Sequence, residues 1–156
     1  MKSDGNAIVY GQGAFNTLNG KTAHGLVRFC RRYTILAVVD ARYSGRDAGD
    51  VLDGKIVGIP MVDAIETAMH AAEHAGAPAT HLVIGIAPDG GRLDKIARRD
   101  VIKAIDLKLN VDCGLHDFLS EDEQLAGQAS LRDVESVRVG EAHLVAGGRA
   151  EHGGVT

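Results

Sequence analysis

Short β-rich apolar runs alternate along the chain with segments whose apolar residues recur at the helical period. That alternation is how a parallel sheet with crossover helices appears in sequence. The first run is Ala7 to Tyr10 (AIVY). A glycine-rich loop leads from it to a helix predicted from Gly20 to Arg32, with Ala23, Leu26, Val27 and Cys30 on one face. The second run, Ile35 to Asp40 (ILAVVD), is apolar until its closing carboxylate, as suits a strand covered on both faces. Residues 41–56 crowd glycines and aspartates (GRDAGDVLDG) and predict an irregular excursion. A short strand at Ile59 to Val62 leads to a helix from Asp63, the expected N-cap, to His74, ended by Gly76 and Pro78. His81 to Ala87 (HLVIGIA) predicts the fourth strand, and PDGG the turn after it. Leu93 to Leu109 then predicts a helix with Ile96, Ala97, Ala104, Ile105 and Lys108 on one stripe, before a short strand at Asn110 to Gly114. Ser120 and Glu123 form a capping-box signature for one more helix, and Val134 to Val139 reads as the last strand.

The pattern implies an α/β fold: a doubly wound, mostly parallel sheet with helices on both faces, of the Rossmann-like kind. We assign it to residues 1–140 and expect residues 141–156 to be a flexible glycine-rich tail. A length of 156 residues with 45% hydrophobic side chains suits one domain able to bury its own core. No run approaches the roughly 18 apolar residues that would span a bilayer, and the first residues lack the apolar core of a secretory signal, so a cytoplasmic protein off the membrane is expected. The two cysteines, Cys30 and Cys113, stand far apart, which suggests neither a disulfide framework nor a zinc knuckle.

A formal charge of −4 and an aromatic content of 4% without tryptophan argue against a nucleic-acid partner, which needs a basic face and stacking platforms. The basic residues that cluster, Lys95, Arg98, Arg99, Lys103 and Lys108, alternate with Asp94, Asp100 and Asp106 and read as a solvated helix face. A small-molecule ligand is the expected partner.

In an open α/β sheet, ligands gather at the carboxyl ends of the strands, where helix N-termini direct free N–H groups into a crevice. Gly11 and Gly13 follow the first strand and let a phosphate approach the backbone; Asn16 stands where a dinucleotide fingerprint has its third glycine or an alanine. Gly20, Lys21 and Thr22 open the first helix and offer backbone N–H groups, an ammonium and a hydroxyl. Phe15 replaces the first glycine of a full P-loop, so a nucleotide-hydrolysing loop is not expected. Asp40 ends the second strand, where an acidic side chain accepts hydrogen bonds from an adenosine ribose; the competing reading is a carboxylate that caps the following turn. Gly90 and Gly91 precede a helix and suit a second close approach. At the end of the fifth strand His116 and Asp117 are the candidates for acid/base chemistry, with Cys113 read as a small buried hydrophobe. No metal site is expected, since no ligand spacing stands out among the histidines.

Four segments carry a resemblance to a known family: AIVYGQGAFNTLNGKTAHGLVRF, VVDARYSGRDAGDVLDG with GIPMV, HLVIGIAPDGG, and NVDCGLHDFLSED. Over Ala7 to Val139 the chain resembles a bacterial and archaeal family long catalogued as a domain of unknown function, some members of which are described as D-glutamate N-acetyltransferases. The GLHDFLSED piece is the most specific; the family's GKTAxGLVR segment falls on Gly20 to Arg28 and its D-x-x-x-x-G-x-D-A-G segment on Asp40 to Gly49. The resemblance implies a Rossmann-like N-terminal half of a two-domain protein whose other half carries a true P-loop. In element order the chain also looks like the CoA-binding domain of succinyl-CoA synthetase α subunits.

These readings converge on a module for acetyl-CoA, CoA or an adenine nucleotide, with NAD less favoured, working with a separate P-loop domain or as a homo-oligomer. Two alternatives stand beside it. One is an NAD-dependent oxidoreductase, for which the chain offers no Tyr-x-x-x-Lys pair. The other is a non-catalytic assembly domain in which the glycines serve turns alone.

Overall fold

The computed structural model describes residues 5–87, 93–113, 136–139, 142–145 and 149–151, the last three segments as backbone only. The chain divides into two compact units, Met1–Ala87 and Pro88–Thr156.

In the first unit, β1 (Gly5–Tyr10), β2 (Tyr33–Val39), β3 (Met61–Val62) and β4 (His81–Ile84) lie in the order β3-β2-β1-β4, all parallel. The path steps outward from β1 to β2 to β3 and then crosses back to β4. Right-handed crossovers put the helices of the two directions on opposite faces. Helix α1 (Lys21–Phe29) and the short α2 (Ala48–Asp53) therefore share one face, and α3 (Ile65–His74) takes the other.

Side-chain alternation along the strands sorts the core accordingly. Val9, Val38 and Met61 pack with Phe15, Ala23, Val27 and Ala48 on the α1/α2 face. Ile65, Ala68 and Ala72 form the buried stripe of α3. The architecture is the doubly wound α/β arrangement expected from the alternating pattern.

The second unit holds α4 (Lys95–Asp106), capped by Asp94 through a 2.8 Å bond from the Ala97 N–H, and β5 (Asn110–Cys113). β6 (Ser136–Val139) pairs parallel to β5; β7 (Ala142–Val145) and β8 (Arg149–Glu151) add antiparallel strands. Strands thus occupy part of the segment expected to be a tail.

Three local expectations change. The excursion at 41–56 contains a 3-10 turn at Ala41–Tyr43 and helix α2, because Asp47 caps the helix and Gly54 closes it in the left-handed conformation at φ 69°. Asp63 bonds the Thr67 hydroxyl at 2.6 Å, and the N-cap of α3 is Ala64. On α4 the buried face is Ala97, Val101, Ala104 and Ile105; Ile96 is exposed, and Lys108 lies past the helix end with φ 64°. Among the described residues no helix is long and apolar enough to cross a membrane.

Candidate functional site

The strand order reverses between β1 and β4, and this is where open α/β sheets bind ligands. Gly85, just past β4, donates its N–H to the Tyr10 carbonyl at 2.8 Å and accepts the Ala23 N–H at 3.0 Å. A Cβ on Gly85 would stand 2.6 Å from the Ala23 Cβ, too close for any side chain. The glycine thereby lets the opening of α1 sit directly on the sheet end.

The loop from β1 to α1 is anchored by Phe15, which is fully buried. Its N–H donates to Asp40 Oδ2 at 3.2 Å, and its carbonyl meets the His24 ring nitrogen, whose ring also lies edge-on to the phenyl ring at 5.6 Å. Gly20 backs onto this segment so tightly that a Cβ would collide with the carbonyl oxygens of Ala14 and Phe15. Gly11 is packed under Phe15, while Gly13 faces open space with φ 77° and serves the turn. Gln12 ties three strand ends together: its side chain accepts the Ala41 N–H at 2.7 Å and donates to the Asp63 carbonyl at 3.2 Å.

Helix α1 opens without a side-chain cap. Beside that opening Asn16, Thr17, Leu18, Lys21 and His24 line an open groove of about 390 Å³. Thr17 shapes its rim, donating its hydroxyl to the Ala14 carbonyl at 2.7 Å and accepting the Asn19 N–H at 3.2 Å. An uncapped helix start with an exposed lysine is suited to an anionic group.

Asp40 is placed differently from a ribose acceptor in open solvent. Its side chain is fully buried, caps the 3-10 turn by accepting the Arg42 N–H at 3.1 Å, and receives the Arg42 guanidinium on both oxygens, at 2.8 Å from Nη2 to Oδ2. Burial pushes its carboxyl upward; the Arg42 side-chain and backbone bonds and the Phe15 N–H outweigh that, holding it below the ordinary carboxylate range. A ribose at this carboxylate would have to displace Arg42.

A second carboxylate organises the neighbouring loop. Asp47 Oδ1 accepts the N–H groups of Gly49, Asp50 and Val57, and Oδ2 those of Gly58 and Ile59, at 2.8 to 3.1 Å. Burial raises this carboxyl, and the backbone N–H groups of Val57, Asp50, Gly58 and Gly49 outweigh the effect and hold it low. Its role is structural, fixing the D-A-G segment against the return to β3.

The structure thus places Lys21 on the groove, with Gly11, Gly13 and Gly20 building the loop beside it and Asp40 clamping that loop from β2. Thr22 is exposed at the helix start and does not line the groove. Gly90, Gly91, His116 and Asp117 lie outside the described residues. Cys113 is fully buried. Gln12, Thr17 and His24 were not expected from sequence, and Asn16 only as a departure from the dinucleotide fingerprint; the polar side chains of Gln12, Asn16 and Thr17 in a glycine-rich loop were the available signal, and His24 on α1 offered none.

The profile of a family described as "Domain of unknown function (DUF1611_N) Rossmann-like domain" matches residues 41–139, more than half of the chain. The groove and the β1–α1 loop precede that span. Among solved structures the chain is similar to a DUF1611 family protein from Anabaena variabilis ATCC 29413, whose crystal structure was determined at 2.30 Å resolution. The TM-score is 0.70 at 24% identity, over 80% of this chain and 34% of that one, so the likeness is one of fold and this chain spans about a third of that protein's length. No curated protein matches.

Proposed function

The chain belongs to the DUF1611_N family of Rossmann-like domains, and from that premise we propose that it binds a phosphate-bearing adenine-type cofactor, namely CoA, acetyl-CoA or an adenine nucleotide, as the ligand-binding part of a D-glutamate N-acetyltransferase-like protein. The observation that carries this reading is the uncapped start of α1 at the β1/β4 switch point, with Lys21 beside an open groove. In it the phosphates meet the opening of α1 and the Lys21 ammonium, with Thr22 next to it. Gly11, Gly13 and Gly20 hold the loop close to the helix start. Gly90, Gly91, His116 and Asp117 enter this reading from the sequence alone, as a second phosphate-binding turn and an acid/base pair. The greater length of the solved relative supports a contribution from a further domain, such as a P-loop half, to the full activity.

Asp40 acts in this reading by clamping the loop rather than by touching ribose, since Arg42 occupies both of its oxygens. That engagement removes the main support for the NAD-dependent oxidoreductase. A non-catalytic assembly domain is favoured by one observation, the exposure of Leu18, Phe29 and Ile56.

Calorimetric titration of the chain with acetyl-CoA, CoA, ATP and NAD tests the proposal. Saturable heat with a CoA species or ATP, weakened in Lys21→Ala, supports it. Saturation by NAD alone restores the oxidoreductase, and flat titrations for all four together with a dimer or larger species by light scattering favour assembly.

A further inference from the structure

We propose that His70 and His74 form a two-imidazole site for a divalent transition-metal ion of the copper, nickel and zinc class. The two residues stand one helical turn apart on α3, in the run His70-Ala71-Ala72-Glu73-His74, and both are exposed. Residues four apart on a helix lie on one face, with about 6 Å of axial rise between them. Here the rings already meet, with centroids 4.6 Å apart and planes inclined by 68°.

Each ring nitrogen binds such an ion at about 2.0–2.1 Å, so a chelate needs the two nitrogens roughly 3 Å apart. Rings already in contact reach that separation by turning about their side-chain bonds, which exposed positions leave free to do.

The surroundings favour a cation. Glu66 lies one turn before His70, Glu73 adjoins His74, and α3 carries no lysine or arginine. Buried Ile65, Ala68 and Ala72 fix the opposite side of the helix to the core, so the two histidines project from a rigid element. No third histidine, cysteine, aspartate or glutamate completes a ligand group among the described residues. Among the described residues, the ion's other positions are thus left to water or to a donor from another molecule. Nitrogen donors select copper, nickel and zinc over magnesium and calcium, which require oxygen. This site is independent of the groove at α1.

The untagged chain, freed of metal by chelator and titrated calorimetrically with Zn²⁺, Cu²⁺ and Mg²⁺, provides the test. The proposal expects Cu²⁺ to bind more tightly than Zn²⁺ and Mg²⁺ to give no heat. His70→Gln and His74→Gln should each weaken Zn²⁺ by about tenfold or more. The paramagnetic resonance spectrum of the Cu²⁺ form should show coupling to two nitrogens that falls to one in either variant. Both positions are exposed, so the variants should melt at the wild-type temperature in chelator, and the wild-type Cu²⁺ spectrum stands whether or not they fold. Binding unchanged in both variants, or a wild-type spectrum without nitrogen coupling, overturns the proposal.

Discussion

The Asp40 carboxylate at the end of β2 accepts the Phe15 backbone N–H across 3.2 Å, so a single buried side chain fixes the loop of one strand to the end of its neighbour. Asp40→Asn keeps the size but presents an amide that can no longer accept from Arg42 and Phe15 on both sides. The expected loss is about 1–3 kcal/mol in urea unfolding at neutral pH, nearer the lower figure because Arg42 is half-exposed and its ion pair is partly screened. A variant as stable as wild type would remove Asp40 from its clamping role.

Acid should act through the same group. Asp40 and Asp47 both have folded values below the ordinary one, so each contributes stability that is fully present above the unfolded carboxylate value of about 3.9 and is lost as pH falls through the lower folded value. Unfolding free energy should thus be insensitive to these two groups between neutrality and about pH 5, and decline below about pH 4. Asp40→Asn should flatten that decline. An identical acid slope in wild type and variant would count against the assignment.

Gly13 and Gly20 separate two reasons for a glycine. Gly13→Ala meets no atom and should cost only about 1–2 kcal/mol for its positive φ. Gly20→Ala drives a methyl group into two backbone carbonyls and should cost about 3 kcal/mol or more, with displacement of the groove rim. Thermal melts of the two variants check the order.

The five N–H groups on Asp47 predict a local effect. Asp47→Ala leaves them without their acceptor, and amide hydrogen exchange at Val57, Gly58 and Ile59 should accelerate strongly while β1 and β4 amides change little. Uniform acceleration across the sheet would mean that Asp47 supports the whole unit rather than its own loop.

Lys21 is exposed and makes no contribution to the core. Lys21→Glu should leave the melting temperature unchanged and weaken the ligand identified by titration by about tenfold or more, since a charge-assisted contact becomes a repulsion. The same variant should lessen the dependence of binding on salt.

The sequence by itself determined the alternation of strands and helices, the parallel doubly wound architecture, and the glycines at the β1–α1 turn. These follow from local periodicity: an apolar run such as ILAVVD and a helical stripe such as Ala68 and Ala72 each declare which faces are buried without reference to distant residues. It could not show that Asp40 turns inward to Arg42 and Phe15, because capping carboxylate and ribose acceptor are the same residue at the same strand end. Nor could it find α2 within GRDAGDVLDG, where six helical residues depend on Asp47 gathering N–H groups from up to twelve residues away. Lys108 shows the same limit: a spacing that extended the stripe of α4 ended instead in a left-handed turn. Only the tertiary structure decided which partner each polar side chain takes, because a buried carboxylate must satisfy its hydrogen bonds with whatever the packed chain brings within reach.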